Sequence, residues 1–258
     1  MSAVELPPNY FKRGLAEGRQ QIGLWCTMAS AYVAEAVAGS GFDWLVLDTE
    51  HSPSDVTDVL AQLQAVAPYP VAPVVRPAIN DPVLIKRHLD QGAQTLLIPY
   101  VQSAAEAAMA VAAMRYPPEG FRGVSGLTRA SRFGRVPSYL QRAAEELCLI
   151  VQVETREALD EIEAIAAVDG VDAIFIGPSD LAASLGHRGE PGHPEVAAAV
   201  EDAIRRVVAA GRPAGVLALD LDFARRCMAA GTTFTAVGVD LAVLVRATDA
   251  LARDFREG

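Results

Sequence analysis

The chain has 258 residues, 51% apolar and 21% charged, which is enough to bury the core of one large domain and too apolar for disorder. A formal charge of −10 argues against nucleic acid and anionic membrane as partners. No run of about 18 uncharged apolar residues is present to span a bilayer. The first residues, MSAVELPPNYFKRGLAEGRQ, lack a signal-peptide core, and Cys26, Cys148 and Cys227 are too scattered for a disulfide framework or a CxxC metal site. The expectation is a cytoplasmic, acidic protein forming one domain over residues 1–258.

In chain order, the strand candidates are 21–27, 44–50, 72–77, 95–101, 148–155, 172–178, 214–219 and 234–240. They are continuously apolar, as strands covered on both faces are. Between them run amphipathic stretches such as SAYVAEAVAGSG, DVTDVLAQLQAVA, PVLIKRHLDQG and REALDEIEAIAAVDG. Gly41, Gly92, Gly170, Gly211 and Gly231 stand where helices stop, supplying left-handed turns. Eight strand–helix units of roughly 30 residues predict an α/β fold of the (β/α)8 TIM-barrel type. An open doubly wound sheet is the alternative, disfavoured because no GxGxxG follows the first strand. The irregular piece is a long connection at 117–147 carrying Arg122, Arg129, Arg132 and Arg135, read as either a solvated loop or a functional segment.

In such a barrel, chemistry belongs at the carboxyl ends of the strands. Strand two ends in Asp48-Thr49-Glu50-His51, strand three in Arg76, strand five in Gln152-Val153-Glu154, and strand six in Gly177-Pro178-Ser179-Asp180. Glu154 and Asp180, one unit apart, fall on neighbouring strands about 5 Å from each other. Two carboxylates without Cys or His beside them suit a hard octahedral ion such as Mg²⁺ or Mn²⁺; the alternative is that they cap the helices that follow. Arg76 ends an apolar strand and needs an anionic partner, either a structural carboxylate or a substrate oxyanion. His51 is the one histidine at a strand end, and neighbouring acids would raise its basicity. The turns after strands seven and eight are not Gly-rich, so a phosphorylated substrate is not expected. Only Lys12 and Lys86 could form a Schiff base, and neither is placed to reach the pocket.

The stretches QIGLW (21–25), GFDWLVLDTEHSP (41–53), PVVRP (73–77), QTLLIPYVQ (94–102), RYPPEGFRGVSG (115–126), VQVETREA (151–158) and GVDAIFIGPSDLAASLG (170–186) resemble the HpcH/HpaI family of metal-dependent pyruvate aldolases. The likeness is greatest to its 4-hydroxy-2-oxoheptanedioate branch, with the 2-dehydro-3-deoxy-glucarate branch next. The resemblance implies Glu154 and Asp180 as ligands of Mg²⁺, Mn²⁺ or Co²⁺, His51 as proton acceptor, and Arg76 as transition-state stabiliser. It further implies Gln152, Ser179 and Asp180 lining the pyruvate site, and Asp90 as the acid that raises the histidine's basicity. Asp90 falls at a helix end away from its own mouth, so it is expected to reach His51 of a neighbouring copy in a homo-oligomer, in this family often a hexamer. Thr49 stands where Gly usually precedes EH, and Ser179 where Ala is common.

The expected reaction is reversible cleavage of a 4-hydroxy-2-oxo acid to pyruvate or hydroxypyruvate and an aldehyde through a metal-bound enolate. The rivals are a decarboxylase of the oxaloacetate type and a non-catalytic keto-acid-binding barrel.

Overall fold

The computed structural model describes residues 4–256, in which eight parallel strands close into one barrel in sequence order. They are β1 (Gln21–Cys26), β2 (Trp44–Asp48), β3 (Ala72–Arg76), β4 (Thr95–Ile98), β5 (Cys148–Val153), β6 (Ala173–Ile176), β7 (Ala214–Leu217) and β8 (Thr232–Val239). Pairing of β1 with β8 completes the barrel and rules out the open sheet. Each strand stops one to three residues before its expected limit, because the polar residues after it turn out into loops.

The helices are α1 (Tyr10–Ala16), α2 (Ala31–Ala38), α3 (Val56–Val66), α4 (Pro82–Asp90), α5 (Ala104–Met114), α6 (Tyr139–Arg142), α7 (Arg156–Asp160), α8 (Ile162–Ala166), α9 (Pro178–Ser184), α10 (Pro194–Ala209), α11 (Leu221–Ala230) and α12 (Asp240–Asp254). Local chemistry sets several starts. Asp55 and Asp58 form a capping box on α3, and Asp81 caps α4 ahead of Pro82. All five glycines singled out at helix ends have positive φ, from +79° to +120°. The single helix expected over 156–170 is instead two short ones, broken by a turn at Glu161. Among the described residues no helix is long and apolar enough to cross a membrane.

Two apolar layers hold the molecule together. The outer one packs helices onto strands; the inner one fills the barrel with aromatics. Phe11 of α1, fully buried, closes the N-terminal end of the barrel, its ring 5.6 Å from Trp44 and 5.5 Å from Phe234. Trp25 meets Phe175 at 5.4 Å one layer higher. Gly23 and Gly215 make room for these rings, since a Cβ there would lie 2.2 Å from Trp44 and 2.1 Å from Phe234. Removing Phe11 would leave a cavity costing about 3–5 kcal/mol.

The connection over 117–147 does not reach its own barrel's mouth. It folds under the N-terminal face, where Arg129 Nη1 donates to the Gln91 carbonyl at 2.7 Å and Ala130 N–H to the Asp90 carbonyl at 3.2 Å. Tyr116, Val136, Tyr139 and Leu6 form a small satellite core beneath it. Its four arginines divide two and two: Arg122 and Arg129 are structural, whereas Arg132 and Arg135 are exposed.

Candidate active site

Register places the first half of the site. Asp48 and Arg76 are partners across β2 and β3, so their side chains meet at the C-terminal rim. Arg76 Nε donates to Asp48 Oδ1 at 2.8 Å and Nη2 to Oδ2 at 2.7 Å, a bidentate pair in which Arg76 is 5% and Asp48 1% exposed. Arg76 Nη1 lies 2.7 Å from Glu50 Oε2, and the guanidinium sits 5.2 Å over the Trp25 ring. The expected anionic partner is thus a structural carboxylate. Three of the five guanidinium N–H groups face these acids, leaving two for a ligand. Thr49 ties the loop down: its hydroxyl donates to the Arg76 carbonyl at 2.7 Å.

Across the mouth, Val153 pairs with Ile176, which sets Glu154 beside Gly177. Glu154 is 2% exposed; its Oε1 accepts from the Tyr100 N–H at 2.8 Å, and its Oε2 accepts from the Gln152 amide. Tyr100 reaches this position with φ of +54°, a conformation uncommon for a bulky residue. A Cβ on Gly177 would lie 2.4 Å from Glu154 Oε2, so only glycine admits the carboxylate here. Burial, with the charges of Asp180 and Glu50, pushes the Glu154 carboxyl up to about 7 despite the hydrogen bonds from Gln152 and Tyr100. Burial likewise pushes the Glu50 carboxyl up, against the pull of Arg76. Asp48 and Glu50 thus share the Arg76 guanidinium, whereas among the described residues no cationic side chain contacts Glu154 or Asp180, and the buried Gln152 Oε1 has no partner. This all-oxygen, cation-deficient donor set fits a hard divalent ion.

The other expected residues lie as follows. His51 is exposed beside this cluster, 3.9 Å from Glu50. Ser179 and Asp180 are exposed in the first turn of α9, whose N-cap is Gly177; no side chain caps that helix. Asp90 is not with them. It ends α4 at the opposite face, where Arg122 Nη2 donates to its Oδ1 at 2.6 Å. Sequence reasoning missed Tyr100 as part of the site, quoted Gly177 at the end of strand six without a role, and named Asp48 only as an acid near His51. The β2–β3 register could have paired Asp48 with Arg76; nothing in the sequence announces the backbone at Tyr100. Lys12 bonds the Leu147 carbonyl at 2.6 Å under the barrel, and Lys86 lies on α4 beside Gly123, so neither amine is at the mouth.

Residues 21–247 match the HpcH/HpaI aldolase/citrate lyase family. A pyruvate aldolase of Rhizobium etli is 66% identical over 252 residues, covering 98% of this chain and 99% of the relative. A 4-hydroxy-2-oxo-heptane-1,7-dioate aldolase of Klebsiella pneumoniae is 56% identical over 248 residues, 96% of this chain and 94% of the relative. The crystal structure of an HpcH/HpaI aldolase/citrate lyase family protein from Burkholderia cenocepacia superposes with a TM-score of 0.92 at 42% identity, covering 96% of this chain and 99% of that one. A likeness so long and even leaves one placement: the chain belongs to the HpcH/HpaI aldolase/citrate lyase family, and it is a carbon–carbon lyase.

Proposed function

We propose that the protein is a divalent-metal-dependent aldolase that cleaves 4-hydroxy-2-oxo acids reversibly to pyruvate, or its 3-hydroxy analogue, and an aldehyde. The observation that carries this reading is Glu154, a carboxylate buried among other acids whose hydrogen-bond partners are the Tyr100 N–H and the Gln152 amide, with no cationic side chain in contact with it among the described residues. Glu154 and Asp180 would hold Mg²⁺, Mn²⁺ or Co²⁺, which when bound supplies Lewis-acid polarisation of the keto group.

The chain's own residues do the rest. Gln152 and Ser179, with Asp180, line the place where the keto acid sits. The two free N–H groups of Arg76 face the oxyanion that develops on the keto acid, and one such donor is worth about 10²–10³ in rate. In cleavage, His51, directly or through a water, takes the proton of the 4-hydroxyl. The C3–C4 bond breaks, its electron pair passes into the keto acid as enolate, the aldehyde leaves, and C3 is then protonated. A general base of this kind contributes about 10²–10⁴. Among the described residues Glu50 is the one acid within 4 Å of the exposed His51, and Asp90 is assigned to the His51 of a second copy.

A homo-oligomer is supported by α12, which buries only Asp240 and leaves Leu241, Val243, Leu244, Val245 and Leu251 exposed. In such an assembly the exposed Val124, carried on the same segment as Arg122, would border the aldehyde. Three free, buried cysteines are consistent with a reducing cytoplasm.

Pyruvate with a panel of aldehydes and Mg²⁺, Mn²⁺ or Co²⁺ should give new carbon–carbon bonds, abolished by a chelator and untouched by borohydride. Glu154→Ala should stay folded and lose metal-dependent turnover. Inactivation by borohydride with pyruvate would overturn the metal reading; decarboxylation of oxaloacetate without carboligation would overturn the aldolase.

A further inference from the structure

The turn between α9 and α10 carries a side-chain cluster that the aldolase site does not use. Among the described residues, one ring nitrogen each of His187 and His193 and one carboxylate oxygen of Glu195 lie within 4.8 Å of one another. His187 Nε2 is 2.9 Å from Glu195 Oε2, and the two imidazoles stack with centroids 3.6 Å apart at 16°. A neutral imidazole keeps one ring-nitrogen lone pair that can bind a metal. His193 Nδ1 presents such a lone pair: it accepts only a long 3.3 Å bond from the Glu195 N–H. The loop that brings the rings together is closed by its own backbone, His187 N–H to the Ala182 carbonyl at 2.7 Å and His193 N–H to the Glu190 carbonyl at 2.9 Å. Gly186 and Gly189 supply its left-handed turns.

We infer that His187, His193 and Glu195 form a second metal site, for a borderline transition ion such as Zn²⁺ or Ni²⁺, pinning the end of α9 to the start of α10. Two imidazoles and one carboxylate are a zinc-type donor set with a fourth position left for water, and they discriminate against Mg²⁺, which prefers oxygen. The nearly parallel rings require one of them to rotate about χ2, a broad torsion for histidine, and so to give up the stack when the ion binds. Glu195 then exchanges its contact with His187 for the ion.

The test is equilibrium dialysis of Zn²⁺ against untagged protein in a Glu154→Gln/Asp180→Asn background, which removes the carboxylate ligands at the mouth. One equivalent should bind, and His187→Ala should weaken it at least tenfold. His193→Asn should do the same while keeping an N-cap side chain for α10, so a loss there is not a loss of the helix. With Glu154 and Asp180 intact, both single variants should retain wild-type turnover with Mg²⁺. No Zn²⁺ bound in the double-variant background, or binding that neither histidine substitution weakens, overturns the site.

Discussion

Gly177→Ala adds one methyl group where the structure has no room for it. Gly177 has φ −94° and ψ 97°, open to alanine, so the substitution carries no backbone penalty and its effect is steric. The new Cβ would stand 2.4 Å from Glu154 Oε2 and 2.8 Å from Glu154 Cβ, against 3.4 Å for ordinary contact. The carboxylate must retreat by about 1 Å, and rotating it does not relieve the contact with its Cβ, which is fixed by the backbone. Overpacking of this size costs about 1–3 kcal/mol of stability. A misplacement of about 1 Å in a catalytic constellation costs about 10²-fold in rate. Glu154 anchors the proposed ion, so the loss should appear both in turnover and as a higher Mn²⁺ concentration for half-activation. The assay is pyruvate release from a 4-hydroxy-2-oxo acid over a Mn²⁺ titration, paired with urea unfolding. Gly192→Ala, with nothing within 4 Å of the added carbon, is the silent control. A Gly177→Ala enzyme within threefold of wild type at low and high Mn²⁺ would refute the placement of Glu154 as a ligand.

Arg76→Lys replaces a three-point contact with a single ammonium, leaving part of the buried Asp48 carboxylate unpaired. It should cost about 1–3 kcal/mol in urea unfolding, and turnover should fall about 10²–10³-fold. His88 is buried, and burial with the charge of Arg87 lowers its pKa to about 4. Below pH 6.5 the unfolded chain takes up a proton that the folded chain refuses, so stability falls as pH drops from 6.5 toward 4. The full effect is about 3 kcal/mol. His88→Leu should flatten that acid limb, read as urea midpoints at pH 7 and 4.5; an unchanged pH slope would exclude His88 as its source. Leu244→Asp with Val245→Asp puts two charges on the exposed apolar face of α12. Sedimentation should show smaller species, and turnover should fall because His51 would lose the Asp90 carboxylate of the second copy that its ring N–H donates to; an intact assembly would exclude that face as the contact.

What the sequence disclosed, and what it hid, follows from how each feature is encoded. The barrel was legible because burial on both faces makes each strand a continuous apolar run, and each helix stop at Gly41, Gly92, Gly170, Gly211 and Gly231 needs a conformation that glycine supplies. Glu154 and Asp180 were legible as polar residues one unit apart at strand ends. The partner of Arg76 was not, because a lone cation fits a structural or a substrate anion equally well; the β2–β3 register decides for Asp48. Gly177 and Tyr100 were illegible for a different reason. Their contribution is a missing Cβ and a backbone N–H, neither of which leaves a mark in residue chemistry. Asp90 is the instructive case. Its helix position places it away from the mouth, and the structure does place it at the opposite face, bound to Arg122. Only the second copy proposed above would bring that position to a His51. On the proposed assembly, the exposed apolar face of α12 is the surface offered for that contact, and the segment that holds Arg122 against Asp90 under the barrel would lie near it.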